Sequence, residues 1–165
     1  LCLQLGTKVE YDGFLTEWSR SLDRFSSLES VSFETTATLL KSLNFFTEAI
    51  VGLSQLKRIK LNIFRHPSQP KETLEFCLPP ENLSSLEEIW LSFHQYVSKS
   101  SATKLLHDIA SCGNLQSFKV SGLALNEEIA ISTLKGLPHL KELEIETDTR
   151  STLTINSKNE IIKRP

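Results

Sequence analysis

Four histidines (His66, His94, His107, His139) and three cysteines (Cys2, Cys77, Cys112) are the residues of this chain best suited to metal or nucleophilic chemistry. Their spacing points to neither. No C-x-x-C pair is present to suggest a zinc knuckle or a redox dithiol, and no two histidines stand at ligand spacing. His107 and Asp108 are adjacent, but neighbours on a helix point apart. Glu87-Glu88 and Glu127-Glu128 resemble acid–base pairs. On a strand, however, consecutive side chains face opposite ways, and at a helix start two glutamates serve the positive end of the dipole. No glycine-rich phosphate loop, nucleophile elbow or H-E-x-x-H occurs. The expectation is a protein that is not an enzyme, with no catalytic residues, no cofactor and no metal.

Recognition chemistry is better represented. Arg58, Lys60, Glu88, Trp90, Lys119, Glu142 and Glu144 all sit between apolar positions of strand-like segments. Alternation sends the apolar residues to one face and these to the other. Aligning the segments produces three polar rows. The first is Cys2, Ser30, Arg58, Glu88, Ser117, Glu142. The middle row is Gln4, Ser32, Lys60, Trp90, Lys119, Glu144, and the third is Gly6, Glu34, Asn62, Ser92, Ser121, Glu146. Trp90 is the only aromatic among them, with a lysine on each side. It is either tucked under a neighbouring loop or an exposed anchor for a partner, and its polar neighbours favour the anchor.

The elements that position these residues repeat. The phrase L-x-x-φ-x-φ, with φ apolar, begins at Leu28, Leu56, Leu86, Leu115 and Leu140, at separations of 28, 30, 29 and 25 residues. An apolar residue stands three before each leading leucine: Phe25, Leu53, Leu83, Cys112 and Leu137. Cys112 therefore reads as a small buried hydrophobe. Stepping back 28 residues from Val31 and Phe33 lands on Leu3 and Leu5, so the chain is expected to open inside a sixth strand. Leu15, Trp18 and Leu22, and then Leu39, Leu43, Phe46 and Ile50, fall on single helix faces. Trp18 is read as packing inward. Later helices are expected from a cap at Ser101 through Ile109, and from Asn126 through Leu134 with Gly136 beyond its last turn. The stretch 62–82 holds Pro67, Pro70, Pro79 and Pro80 and is expected as a loop excursion.

Repeats of this length resemble leucine-rich repeat proteins of the ribonuclease-inhibitor type. The resemblance covers residues 1–146, with 147–165 as a cap strand around Leu153-Thr-Ile155 and a mobile tail. It implies an α/β leucine-rich repeat solenoid: a curved parallel sheet, helices on the convex face and the polar rows on the concave face. It also implies protein binding. Where such repeats usually carry Asn, Cys or Thr after the strand, this chain has Thr36, Phe64, His94, Leu123 and Asp148, so regular curvature is not expected. Within the class, the irregular repeats resemble the C-terminal arms of NOD-like receptors of the NAIP-like group, which would make the chain a ligand-sensing, autoinhibitory arm of a cytosolic innate immune receptor. The alternative is the substrate-recruiting arm of an F-box type ubiquitin ligase. An extracellular adhesion receptor would need cysteine-rich caps, which are missing.

The totals agree with these expectations. A length of 165 residues suits one domain, 39% hydrophobic and 23% charged residues suit a globular chain, and a net charge of −2 favours neither nucleic acid nor an anionic membrane. The sequence has no apolar run of the ~20 residues a membrane span needs. Widely spaced cysteines fit a reducing cytoplasm, and the sequon Asn82-Leu83-Ser84 is weak evidence to the contrary. The expected partner is another protein, bound by a fragment of a longer chain, and the strand opening at Leu1 is expected to leave an apolar edge that self-associates.

Overall fold

Alternating apolar and polar residues commit one face of a strand to the core and leave the other open. The computed structural model sets the alternating segments of this chain side by side. It describes residues 2–6, 27–36, 50, 53–64, 78, 80–94, 97–147, 151–156 and 158–164. The strands are β1 (Cys2–Gly6), β2 (Ser30–Thr36), β3 (Arg58–Phe64), β4 (Glu88–Phe93), β5 (Ser117–Leu125), β6 (Glu142–Thr147), β7 (Thr152–Ile155) and β8 (Ile161–Arg164). They form one open sheet in chain order. Pairing is parallel from β1 to β6 and antiparallel from β6 to β8. Parallel neighbours need crossovers. α1 (Lys99–Ala110) supplies one between β4 and β5, and α2 (Glu127–Leu134) the next. A 3-10 turn, Pro80–Ser85, leads into β4; proline suits its first position because the missing N–H is unneeded there. The described chain is thus α/β with a mostly parallel sheet.

The leading leucines Leu28, Leu56, Leu86, Leu115 and Leu140 are all buried, as are the apolar strand residues that follow them. The approach phrase is a turn: Leu56 N–H donates to the Leu53 carbonyl at 3.0 Å, Leu86 to Leu83 at 3.1 Å and Leu115 to Cys112 at 3.1 Å. One carbonyl then receives two successive N–H groups of the next strand's start. Glu29 O accepts from Lys57 and Arg58, Lys57 O from Glu87 and Glu88, Glu87 O from Gln116 and Ser117, and Gln116 O from Lys141 and Glu142. This repeated bond locks adjacent segments into one register.

Three local expectations change. The cap of α1 is Ser98, three residues before Ser101: its Oγ accepts the Ser101 N–H at 3.0 Å, and Ser101 is buried inside the first turn. An extended backbone at Ser98 (ψ 148°) suits a cap, and both serines qualify by type. α2 does begin after Asn126, whose side chain accepts from Ile129 N–H. β5 runs on past Ser121 through a bulge: Val120 pairs with Ile145, but Leu125 pairs with Thr147. Finally, the expected tail contains a strand. Asn156 Oδ1 accepts from Lys158 N–H and Glu160 N–H, and Asn159 takes a left-handed φ of 63°, so β8 turns back onto β7. Asparagine tolerates that backbone region and caps such turns.

The expected helices around Trp18 and from Leu39, most of the proline-rich excursion, and the Thr36 side chain and Asp148 lie outside the described residues. Ile50 is described, helical and buried. Among the described residues β1 has no neighbour beyond β2.

Candidate functional site

The register confirms the polar rows. Cys2, Ser30, Arg58, Glu88, Ser117 and Glu142 are successive partners, and so are Gln4, Ser32, Lys60, Trp90, Lys119 and Glu144. The third row holds from Gly6 to Ser121; the bulge then brings Glu146 to it through the Gly122 N–H at 3.4 Å. From β2 to β6 the apolar neighbours are buried, so the row side chains described on these strands stand on the open face.

Trp90 is 47% exposed, unusual for so large an apolar side chain. It is not covered by a loop among the described residues. Lys60 Nζ lies over the ring at 3.9 Å from its centroid, and Lys119 Nζ at 5.8 Å. β3 and β5 flank β4, so each lysine comes from a different side. An ammonium over an exposed indole stabilises by about 0.5–1 kcal/mol. Lys119 also pairs with Glu142 at 3.5 Å, and Ser117 Oγ donates to the same carboxylate at 3.1 Å.

Around Trp90 opens a groove of about 510 Å³, lined by Arg58, Lys60, Glu88, Trp90, Lys119 and Glu142. Glu144 is exposed and in register with Lys119 but stands outside it. The groove adds Ser30 and Ser32, and also Gln116 and Lys141, which the three rows omitted. Lys141 Nζ donates to Gln116 Oε1 at 3.1 Å, and Lys57 pairs with Glu87 at 3.8 Å. Each of these residues directly precedes the first row. A fourth row at that position was readable from the repeat.

At the other end of the face, Ser121 Oγ donates to Ser92 Oγ at 3.1 Å, and Ser92 Oγ lies 3.4 Å from His94 Nε2. A serine–histidine pair invites a nucleophile reading. Here the contact is long, and among the described residues nothing orients the other ring nitrogen. The His94 ring stacks on Phe64, with centroids 4.6 Å apart and planes 6° from parallel. Stacked rings occupy the position where the resemblance led one to look for an asparagine-type ladder.

Behind the sheet, burial pushes the Asp108 carboxyl above its ordinary value, while Lys104, His107 and the Leu78 backbone N–H pull it back down. Its Oδ2 is buried without a hydrogen-bond partner. Burial first, and the Asp108 charge second, push the Cys112 thiol up to about 12. Such a thiol is a poor nucleophile. Among the described residues no group of three or more His, Cys, Asp or Glu could hold a metal ion, and no helix is long and apolar enough to cross a membrane.

No protein-family model, curated protein or solved structure matches the chain.

Proposed function

We propose that the chain is a protein-binding module, built as a leucine-rich repeat solenoid whose curved sheet presents its open face to the partner. The observation that carries the reading is Trp90: a large aromatic, 47% exposed, approached by two lysines inside a groove. Exposed tryptophans with a polar rim are where binding energy concentrates. What supports the solenoid is the recurring phrase, its burial and its repeated backbone bond. The resemblance to NOD-like receptor arms suggests the setting, the ligand-sensing arm of a cytosolic immune receptor.

The test is capture of protein partners from a cell extract by the wild-type chain, Trp90→Ala and Lys104→Ala, quantified by mass spectrometry. Lys104 is exposed on α1, away from the open face. A partner lost by about thirtyfold with Trp90→Ala alone supports the reading. Equal retention by all three chains sinks it.

A further inference from the structure

We propose that the partner presents an acidic segment to this face: an extended stretch with two carboxylates two residues apart, seated over Lys60 and Lys119 on either side of the Trp90 indole. The proposal rests on the reading of the open face as the partner surface and supplies the chemistry of what it receives.

The geometry comes from three adjacent strands. Lys60 on β3 and Lys119 on β5 reach the same ring on β4, at 3.9 Å and 5.8 Å from its centroid. Resting on the indole narrows where each ammonium can be, so less side-chain freedom is lost when an anion arrives. Carboxylates two residues apart on an extended chain emerge on one face about 7 Å from each other. That separation suits two cations straddling one ring.

The two lysines are occupied differently. Among the described residues Lys60 makes no ion pair, and neither does Arg58 on the same strand, although Glu88 is its neighbour in register. Lys119 is held by Glu142, whose side chain is 63% exposed. An exposed pair of this kind is worth at most about 1 kcal/mol, so an incoming carboxylate can displace it. Glu142 therefore stands where the partner's second carboxylate goes and competes with it. A basic partner would meet the opposite: Arg58 and Lys60, neither in an ion pair among the described residues, with Lys119 on the far side of the anchor.

The test uses the intact 165-residue chain to select from a random peptide library on phage, followed by anisotropy titration of the enriched peptides. Enriched sequences are expected to carry an acid-x-acid pair. Lys60→Gln is expected to weaken their binding by up to about fivefold. Glu142→Gln is expected to tighten it by a similar factor, and both effects should fade in high salt. Neutral or basic enriched peptides, no enrichment above the naive library, or a Glu142→Gln variant that binds no more tightly would overturn the proposal. Trp90→Ala, checked for an unchanged melting curve, separates the two levels. If it abolishes binding of peptides that lack acids, the face remains the partner surface and only its acidic preference falls. If enriched peptides bind regardless of Trp90→Ala and Lys60→Gln, the face itself is not the surface.

Discussion

Gly122 on β5 lies so close to Phe93 on β4 that a Cβ on the glycine would overlap the Phe93 carbonyl oxygen and sit 2.8 Å from its carbon. Gly122 also adopts φ +77°, where side chains are strained. Both conditions arise at the bulge that carries β5 out of its pairing with β6 after Val120.

Gly122→Ala combines a backbone clash with an unfavourable φ. The expected cost is at least about 2 kcal/mol, since either effect alone is worth about 1–3. Urea unfolding measures it. A variant within about 0.5 kcal/mol of wild type would mean the bulge relaxes without penalty.

Leu86 opens the segment of β4 and is 1% exposed within the core. Leu86→Ala is expected to destabilise by about 2–5 kcal/mol. In a stack where each segment touches only its neighbours, the damage stays local. Hydrogen exchange should therefore rise around Leu61, Leu91 and Val120 before it rises in β7 and β8. Uniform loosening of the whole sheet, or none, contradicts the nearest-neighbour stack.

Asp108 makes stability depend on pH. Burial raises its carboxyl above the ordinary 3.8, so the folded chain holds the proton more tightly than the unfolded one. The folded state then loses stability as pH rises from about that value through the raised one, because ionisation is easier in the unfolded chain. Asp108→Asn keeps an acceptor for the Leu78 N–H and removes the charge. Relative to wild type it should gain stability between pH 4 and neutrality, read from melting temperatures across that range. A difference that does not change with pH means the carboxyl is not buried in solution.

How much of this was legible in the sequence differs from residue to residue. The registers of Arg58 with Glu88 and of Lys60 with Trp90 and Lys119 were readable. Strand alternation has a period of two and the leucine phrase recurs at near-constant spacing, so aligning leucines aligns every side chain between them. Burial of Cys112 followed from the same alignment. The cap at Ser98 did not, because Ser98 and Ser101 are equivalent by type and only the backbone conformation chooses between them. β8 was hidden in a polar stretch whose turn depends on asparagine hydrogen bonds rather than on any apolar pattern.

The sequence by itself determined the order of the parallel strands, their register up to the bulge in β5 and the buried face of β2 to β6, because these follow from a one-dimensional period that burial of the apolar face must respect. Only the tertiary structure decided that the Lys60 and Lys119 ammoniums both approach the Trp90 ring, that Glu142 takes Lys119 while Lys60 makes no ion pair among the described residues, and that Gly122 bends β5 against Phe93. Those relations join side chains and backbone on different strands, 23 to 30 residues apart in the chain. Rotamer and distance set them, and no spacing in the sequence records either.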